Sequence, residues 1–167
     1  SDDQRQEIEL ILLSLFGTPD QPRLPKLAIL ETIGQNPGKS NESEDSPKAN
    51  SRPPLFQPAN LENAAGPVRS DEFGKSFGLY REHCANCHGL TGDGAGATAG
   101  FLNPYPRDFR MGKFKFKSTP LRQAPTHEDL MDVLKKGIPG TAMPAFHRLE
   151  ETELESLADY VRYLSIR

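Results

Sequence analysis

The segment Cys84-Ala85-Asn86-Cys87-His88 constrains this chain more than any other feature, and it contains both cysteines of the protein. A C-x-x-C-H pattern is typical of covalent haem attachment: two thiols form thioethers with one porphyrin, and the adjacent imidazole binds the iron. A zinc site needs four nitrogen or sulfur ligands, and there is no second cysteine pair. A disulfide or redox dithiol would leave His88 unexplained. We therefore predict a single haem c, attached through Cys84 and Cys87, with His88 as a ligand of the iron.

Met143 is the best candidate for the second iron ligand. It lies within residues 137–146, a stretch whose Gly and Pro content favours a loop over a helix. The alternative is that Met143 fills a gap in the core, as methionines often do. His147 is the alternative ligand, because His83 is held on the side of His88 and His127 is expected in the first turn of a helix. An open sixth position would instead indicate a haem enzyme or a gas sensor.

Residues 72–167 resemble a class I cytochrome c domain with a single haem. The resemblance rests on the C-x-x-C-H pattern and on the Gly-Thr-Ala-Met-Pro sequence around Met143. It implies an all-α fold around the haem, in which the first and last helices of the domain cross. It also implies that a proline carbonyl accepts a hydrogen bond from the imidazole of His88. Pro104 and Pro106 are the candidates, and we favour Pro106.

The spacing of apolar residues predicts three helices in this region. In the first, Phe73, Phe77 and Tyr80 share one face, which is expected to pack on the last helix. The second begins with a capping-box pattern and ends at a glycine. The first helix is predicted to begin at Ser70 or Asp71 and to carry Cys84 near its end, the second runs from Thr126 to Gly137, and the last begins at Glu150 and includes Leu164.

Further cofactor contacts are expected between the haem motif and the second helix. Arg107 is the first candidate to bind the haem propionates, and Lys117 is the second. Phe109 is expected to contact the cofactor, and Phe114 and Phe116 are expected to turn towards it, because Lys and Phe alternate there. The glycines that follow His88 predict a haem-edge loop rather than a phosphate-binding loop, since no Gly-Lys-Ser/Thr accompanies them.

Composition divides the chain into three parts. Residues 1–33 are predicted to be a helical extension, residues 34–71 a linker rich in Pro, Ser and Asn, and residues 72–167 the haem domain. Within the linker, the apolar pair Leu55 and Phe56 either docks on the haem domain or is solvated.

The N-terminal extension is predicted to form a helical hairpin. Its first helix ends at Gly17 and Pro19, and a second runs from Pro25 to Ile33. The hairpin packs either on the haem domain or on a partner subunit. Its apolar stretch is too short to span a bilayer, and a removed signal or anchor is compatible with the sequence.

The predicted function is transfer of one electron between redox partner proteins through a haem ligated by His88 and Met143. No nucleophile, base and orienting group stand out as a set, so an independent enzyme is not expected. The alternative is a haem-bearing subunit of a larger oxidoreductase, docked through residues 1–71. A net charge of −3 argues against nucleic acid as a partner. The resemblance implies the bacterial periplasm or an equivalent compartment outside the cytoplasmic membrane.

Overall fold

The computed structural model describes residues 2–24 and 56–166 of the chain. These residues are mainly helical and include a two-stranded antiparallel sheet. The elements are helix α1 (Asp2–Phe16), helix α2 (Pro58–Ala64), strands β1 (Arg69–Ser70) and β2 (Ser76–Phe77), helices α3 (Leu79–His83) and α4 (Ala85–His88), the 3-10 helices η1 (Ala99–Phe101) and η2 (Phe109–Met111), and helices α5 (His127–Lys136) and α6 (Glu151–Leu164). The predicted helix from Pro25 to Ile33 lies outside the described residues.

Helix α6 is the centre of the core. It packs against α2, α3 and α5, and its residues Leu157, Tyr163 and Leu164 are fully buried. The helix begins where the sequence predicts, because the carboxylate of Glu153 accepts a hydrogen bond from the backbone N–H of Glu150 at 2.9 Å. That bond satisfies a backbone donor at the start of the helix.

The sequence predicts a linker over residues 34–71, and this prediction is wrong from Phe56 onwards, where the chain forms helix α2. Phe56, Leu61 and Ala64 are at most 3% exposed and belong to the same core as α6. Pro58 suits the first turn of a helix, where its missing N–H costs nothing. The composition of the whole stretch is polar, and it therefore gives no sign of a short helix that buries only a few apolar residues. Leu55 lies outside the described residues.

A buried carboxylate joins α2 to α6. Asp159, whose side chain is 6% exposed, accepts hydrogen bonds from the backbone N–H of Gln57 at 3.1 Å and from Nδ2 of Asn60 at 2.8 Å. Buried polar groups are tolerated when they are hydrogen-bonded. Asp159 therefore fixes the start of α2 on the central helix.

The predicted first helix of the haem region begins later than expected. Residues 69–77 form a β-hairpin, in which Arg69 pairs with Phe77, so the proposed cap at Ser70 or Asp71 is wrong. The side chain of Asp71 instead accepts hydrogen bonds from the backbone of the hairpin turn, which leaves Phe73 87% exposed. The helix starts only after Gly78. The expected packing on the last helix is therefore made by α2 and α3, on either side of the hairpin in sequence.

Helix α1 ends as predicted, and its last residue, Phe16, is half-buried against the core. None of its residues is buried. The turn that follows it is held on α6: the hydroxyl of Tyr163 donates to the carbonyl of Phe16, and that of Tyr160 donates to the carbonyl of Pro19, both at 2.6 Å. Across residues 2–24 and 56–166, no helix combines the length and the hydropathy needed to cross a membrane.

Candidate haem site

The C-x-x-C-H segment forms a tight helical turn from α3 into α4. The backbone N–H of His88 donates to the carbonyl of Cys84 at 2.8 Å, so residues 84, 87 and 88 come close together on successive turns. Both cysteines are free thiols. Burial, and to a smaller extent Cys87, raises the pKa of the Cys84 thiol to about 12, so this thiol is protonated at neutral pH.

The glycine-rich loop after His88 supports this turn through its backbone. The N–H of Gly94 donates to the carbonyl of His88 at 2.9 Å, and that of Gly96 donates to the carbonyl of Cys87 at 3.1 Å. A Cβ at position 96 would lie 2.3 Å from the carbonyl oxygen of Asn86, so only glycine permits this close approach. The glycines thus serve as the structural loop that the sequence favours over a phosphate site.

The imidazole of His88 is oriented by a backbone carbonyl. Its Nδ1 lies 3.0 Å from the carbonyl oxygen of Arg107. A carbonyl can only accept, so Nδ1 carries the proton and Nε2 keeps the lone pair that a metal requires. The choice of Pro106 for this role is therefore wrong by one residue. Burial lowers the pKa of His88 and so favours the neutral imidazole that can bind a metal. The hydrogen bond to Arg107 opposes that shift, but it is the smaller effect.

Phe109 packs directly on this imidazole. The two ring centroids are 4.5 Å apart and the planes differ by 20°. Phe114 stacks on Phe109, with a centroid distance of 6.0 Å. Phe109 is 8% exposed, whereas Phe116 is 49% exposed. We call His88 with residues 107–109 the proximal side.

The two basic residues considered for the haem propionates have different surroundings. The side chain of Arg107 is exposed. The ammonium of Lys117 donates to the carbonyl of Thr119 at 2.8 Å, to its hydroxyl at 3.0 Å, and to the carbonyl of Pro120. Since an ammonium has three donors, this arrangement uses all of them inside its own loop. The structure thus gives Lys117 contacts that stabilise its own loop, and the propionate contacts of both Arg107 and Lys117 stay predictions.

Met143 lies in a closed loop, residues 137–146, which we call the methionine loop. The N–H of Met143 donates to the hydroxyl of Thr141 at 3.1 Å, and its carbonyl accepts from the N–H of Ile138 at 3.1 Å. At the far end, the N–H of Phe146 donates to the carbonyl of Leu134 at 2.9 Å, which ties the loop to α5. Met143 is half-buried and packs against the core.

The other histidines are placed apart from one another. His83 contacts the ring of Phe146 edge-on at 6.1 Å. His127 begins α5 and lies 3.7 Å from the carboxylate of Asp159. His147 is exposed. Among residues 2–24 and 56–166, no group of three or more His, Cys, Asp or Glu side chains could hold a metal ion.

The donor set fits haem c. It consists of two free thiols on one turn, an adjacent imidazole with its Nε2 lone pair available, and the thioether of Met143 in the methionine loop. The thioether and imidazole are donors that haem iron takes in cytochromes c. Cys84, Cys87 and His88 would hold the group covalently and from one face, and Met143 is the candidate for the other face.

Some contributions to the site have no signal in the sequence. A backbone acceptor such as the carbonyl of Arg107 depends on where the chain folds back, not on residue type. The hydroxyl of Tyr80, which donates to the carbonyl of Gly89 at 2.9 Å, is similarly hidden because the sequence assigns Tyr80 only to a packing face. Burial raises the pKa of Tyr80, so the phenol stays protonated and continues to donate this bond.

A helical fold around a C-x-x-C-H turn, with a methionine loop before the last helix, is the class I cytochrome c fold. A family model described as cytochrome C oxidase, cbb3-type, subunit III matches residues 73–161, more than half of the chain, and the protein belongs to this family. A chain of the Kuenenia stuttgartiensis reducing HAO-like protein complex is 33% identical, with a TM-score of 0.50, over 56% of this chain and 42% of that chain. The match therefore spans less than half of that neighbour. No significant match was found among the curated proteins.

Membership in this family supports haem-based electron transfer as the general role of the protein. The matched region begins within the hairpin that precedes α3 and ends in α6. Helices α1 and α2 therefore lie outside the part of the chain that the family describes.

Proposed function

We propose that this protein is a single-haem electron carrier, with haem c attached through Cys84 and Cys87 and ligated by His88 and Met143. The observation that carries the proposal is the hydrogen bond between Nδ1 of His88 and the carbonyl of Arg107 at 3.0 Å. It leaves the lone pair of Nε2 available to iron in the residue that directly follows Cys87. When bound, the haem supplies a one-electron ferric/ferrous couple.

The two ligands pull the reduction potential in opposite directions. The hydrogen bond from His88 to Arg107 makes the imidazole a stronger donor, which stabilises ferric iron. A thioether from Met143 favours the ferrous state relative to a second imidazole. Outer-sphere electron transfer breaks no bond, so this chain needs neither a nucleophile nor a general base, and we propose that it is not an enzyme by itself.

The charges on the surface support exchange of electrons with protein partners. The segment that follows the proximal side carries exposed cations at Lys113, Lys115 and Arg122. A partner with an acidic docking surface would be steered to them, because opposite potentials raise encounter rates. We place this exchange in the bacterial periplasm or an equivalent compartment outside the cytoplasmic membrane. The family resemblance implies that haem is attached covalently there.

The test of this proposal is the optical spectrum of the purified protein in both oxidation states. A low-spin spectrum with the weak long-wavelength charge-transfer band of methionine bonded to ferric haem is the expected result. A high-spin ferric spectrum, together with rapid binding of carbon monoxide to the reduced protein, would contradict it. That result would favour a haem enzyme or sensor with Met143 off the iron.

A second candidate function is that of a haem-bearing subunit docked through residues 1–71. Helix α1 supports it, because Ile8, Leu10 and Ile11 are 50% exposed or more without a partner on the core. A cluster of exposed apolar side chains is typical of protein interfaces. The solved neighbour from Kuenenia stuttgartiensis also belongs to a protein complex.

This candidate is tested with the full chain in its native extract. We expect gel filtration to place the wild type in a large assembly and the double variant Leu10→Gln, Ile11→Gln at the size of the free chain. Leu121→Gln is the control, since Leu121 is also apolar and 87% exposed but lies outside residues 1–71. Elution of the wild type as a free chain, with no difference from the double variant, would contradict docking.

A further inference from the structure

The ring of Phe109 is placed where it can set the orientation of the proximal imidazole. Two contacts restrain the imidazole of His88 within the described part of the chain. The first is the hydrogen bond from Nδ1 to the carbonyl of Arg107 at 3.0 Å, and the second is the stack on Phe109 with a centroid distance of 4.5 Å. Both come from a segment of three residues.

These two restraints do different work. The hydrogen bond restrains the position of Nδ1, but it tolerates a range of tilts of the imidazole about the Cβ–Cγ bond. A ring stacked at 20° to the imidazole narrows that range. Together the carbonyl of Arg107 and the ring of Phe109 therefore restrain the plane of His88 more tightly than either of them alone.

Phe109 is itself held firmly. Its backbone N–H donates to the carbonyl of Gly92 at 2.7 Å, and its ring is 8% exposed. It also stacks on Phe114, with planes differing by 12°. Asp108 fixes the backbone of the next turn by accepting from the N–H of Arg110 at 3.0 Å. A side chain restrained in this way can transmit an orientation to its neighbour.

We propose that Phe109 is a positioning residue that sets the plane of the His88 imidazole and preserves its hydrogen bond to Arg107. The inference rests on the proposed function, in which His88 binds the haem iron. It assigns to Phe109 a contact with the ligand, in addition to the contact with the cofactor expected from the sequence. Groups that orient a metal-bound imidazole tune both its donor strength and the metal.

The test uses the haem-loaded full chain and the variants Phe109→Leu and Phe109→Tyr. In ferric protein, the pattern of haem methyl NMR shifts follows the plane of the axial imidazole. We expect Phe109→Leu to change or average that pattern and to raise the reduction potential, because a loosened hydrogen bond makes His88 a weaker donor to ferric iron. Phe109→Tyr keeps an aromatic ring at this position and should retain the wild-type pattern of haem methyl shifts.

Phe56→Leu is the matched control. Phe56 is a phenylalanine buried to a similar extent, at 3% exposure, but its ring faces Arg162 rather than a ligand of the iron. Its substitution should lower stability and leave the methyl pattern unchanged. A wild-type methyl pattern in Phe109→Leu, or an equal change in Phe56→Leu, would overturn the proposal.

A measurement on the wild type keeps the inference open to disproof if Phe109→Leu does not fold. In the diamagnetic ferrous protein, nuclear Overhauser effects between the rings of His88 and Phe109 are expected, and their absence overturns the stack. Failure of the proposed function gives a different signature. It would appear as a high-spin wild-type spectrum, whereas failure of the present inference leaves the spectrum low-spin and changes only the response to Phe109 substitutions.

Discussion

The two sides of the candidate site are built in different ways. On the proximal side, His88 bonds to the carbonyl of a residue 19 positions later in the chain. In the methionine loop, Met143 bonds to Thr141, only two positions earlier. One candidate ligand is therefore held by contacts across the fold, and the other is held largely by its own loop.

This difference predicts different cooperativity. The proximal side depends on the glycine-rich loop, on η2 and on α6, so its loss requires rearrangement of the core. The methionine loop closes on itself and is tied to α5 by the bond between Phe146 and Leu134. Segments with mostly local contacts open at a lower free energy than the core. We expect the methionine loop to be the first part of the site to open.

Met143→Leu is expected to have the largest effect. The substitution keeps the volume of the side chain but removes the thioether, so the charge-transfer band should vanish and the reduced protein should bind carbon monoxide. The covalent haem should remain, because the proximal side is not altered. Optical spectra before and after addition of carbon monoxide measure both effects.

Met131→Leu is the control for this change. Met131 is 7% exposed within α5 and is expected to be part of the core only. Its substitution should leave the charge-transfer band in place. Loss of the band in Met131→Leu, or its survival in Met143→Leu, would reject Met143 as the second ligand.

Gly137→Ala should disturb the methionine loop more than an ordinary loop substitution does. Gly137 has a φ of +65°, and a Cβ there would lie 2.8 Å from the carbonyl oxygen of Met143. The backbone strain alone costs about 1 to 3 kcal/mol, and the steric overlap adds to it. We expect a weaker charge-transfer band and a lower midpoint of unfolding in guanidinium chloride.

Gly140→Ala separates strain from overlap. Gly140 also has a positive φ, +77°, but nothing lies within 4 Å of the position of its Cβ. Its substitution should show only the conformational cost and keep the band. If both alanine variants behave alike, the close contact with Met143 has no part in holding the loop.

Thr141→Val removes the two hydrogen bonds that a side chain makes within the methionine loop. The hydroxyl donates to the carbonyl of Ile138 at 2.8 Å and accepts from the N–H of Met143 at 3.1 Å. Each such bond contributes about 0.5 to 1.5 kcal/mol. In a denaturant titration, the charge-transfer band should disappear well before the far-ultraviolet circular dichroism signal does.

Thr91→Val provides the comparison for this experiment. Its hydroxyl donates to Asp93 at 3.0 Å, in the glycine-rich loop. A hydrogen bond is lost there too, but the methionine loop is untouched. Thr91→Val should keep the wild-type separation between loss of the band and loss of helix, and coincident loss of both in Thr141→Val would contradict the separate opening of the loop.

The local character of the methionine loop explains why the sequence was informative there. Gly, Pro and Thr close to Met143 favour a loop by their own conformational preferences, and the loop forms where they predict it. Likewise, the capping box at Thr126 and Asp129 uses residues three apart, and its hydrogen bonds are present at 2.8 and 3.0 Å. The fold class followed from the C-x-x-C-H pattern and its resemblance, and it is confirmed.

The errors lie where distant parts of the chain meet. Composition did not predict α2, because its polar residue Asn60 is buried by a hydrogen bond to Asp159, which lies 99 positions away in the chain. The hairpin replaced the start of a predicted helix because Asp71 bonds the turn locally, and apolar spacing is blind to such bonds. The acceptor for His88 was placed at Pro106 rather than at Arg107, since a backbone carbonyl carries no residue signal.

Asp108→Ala is expected to have the smallest effect on stability, and it acts on the proximal side. Asp108→Ala removes the side chain that caps η2, and with it the bond to the N–H of Arg110 at 3.0 Å. Loss of such a cap costs about 1 kcal/mol, and η2 includes Phe109. We expect a lower free energy of unfolding with an unchanged charge-transfer band, because the methionine loop is not involved.

The pH dependence of this effect has a definite sign. Hydrogen bonds from Arg110 hold the pKa of Asp108 below its ordinary value, so the charged carboxylate stabilises the folded state. This contribution is fully present above about pH 4, the usual carboxyl pKa, and is lost as the pH falls through the lower folded value. The difference in unfolding free energy between wild type and Asp108→Ala should therefore shrink in acid.

Asp132→Ala is the control for this prediction. It breaks an exposed pair with Lys136 and should cost less stability than Asp108→Ala at neutral pH, because surface ion pairs contribute little. Equal costs in the two variants would mean that Asp108 acts only as a surface charge and does not support the proximal side.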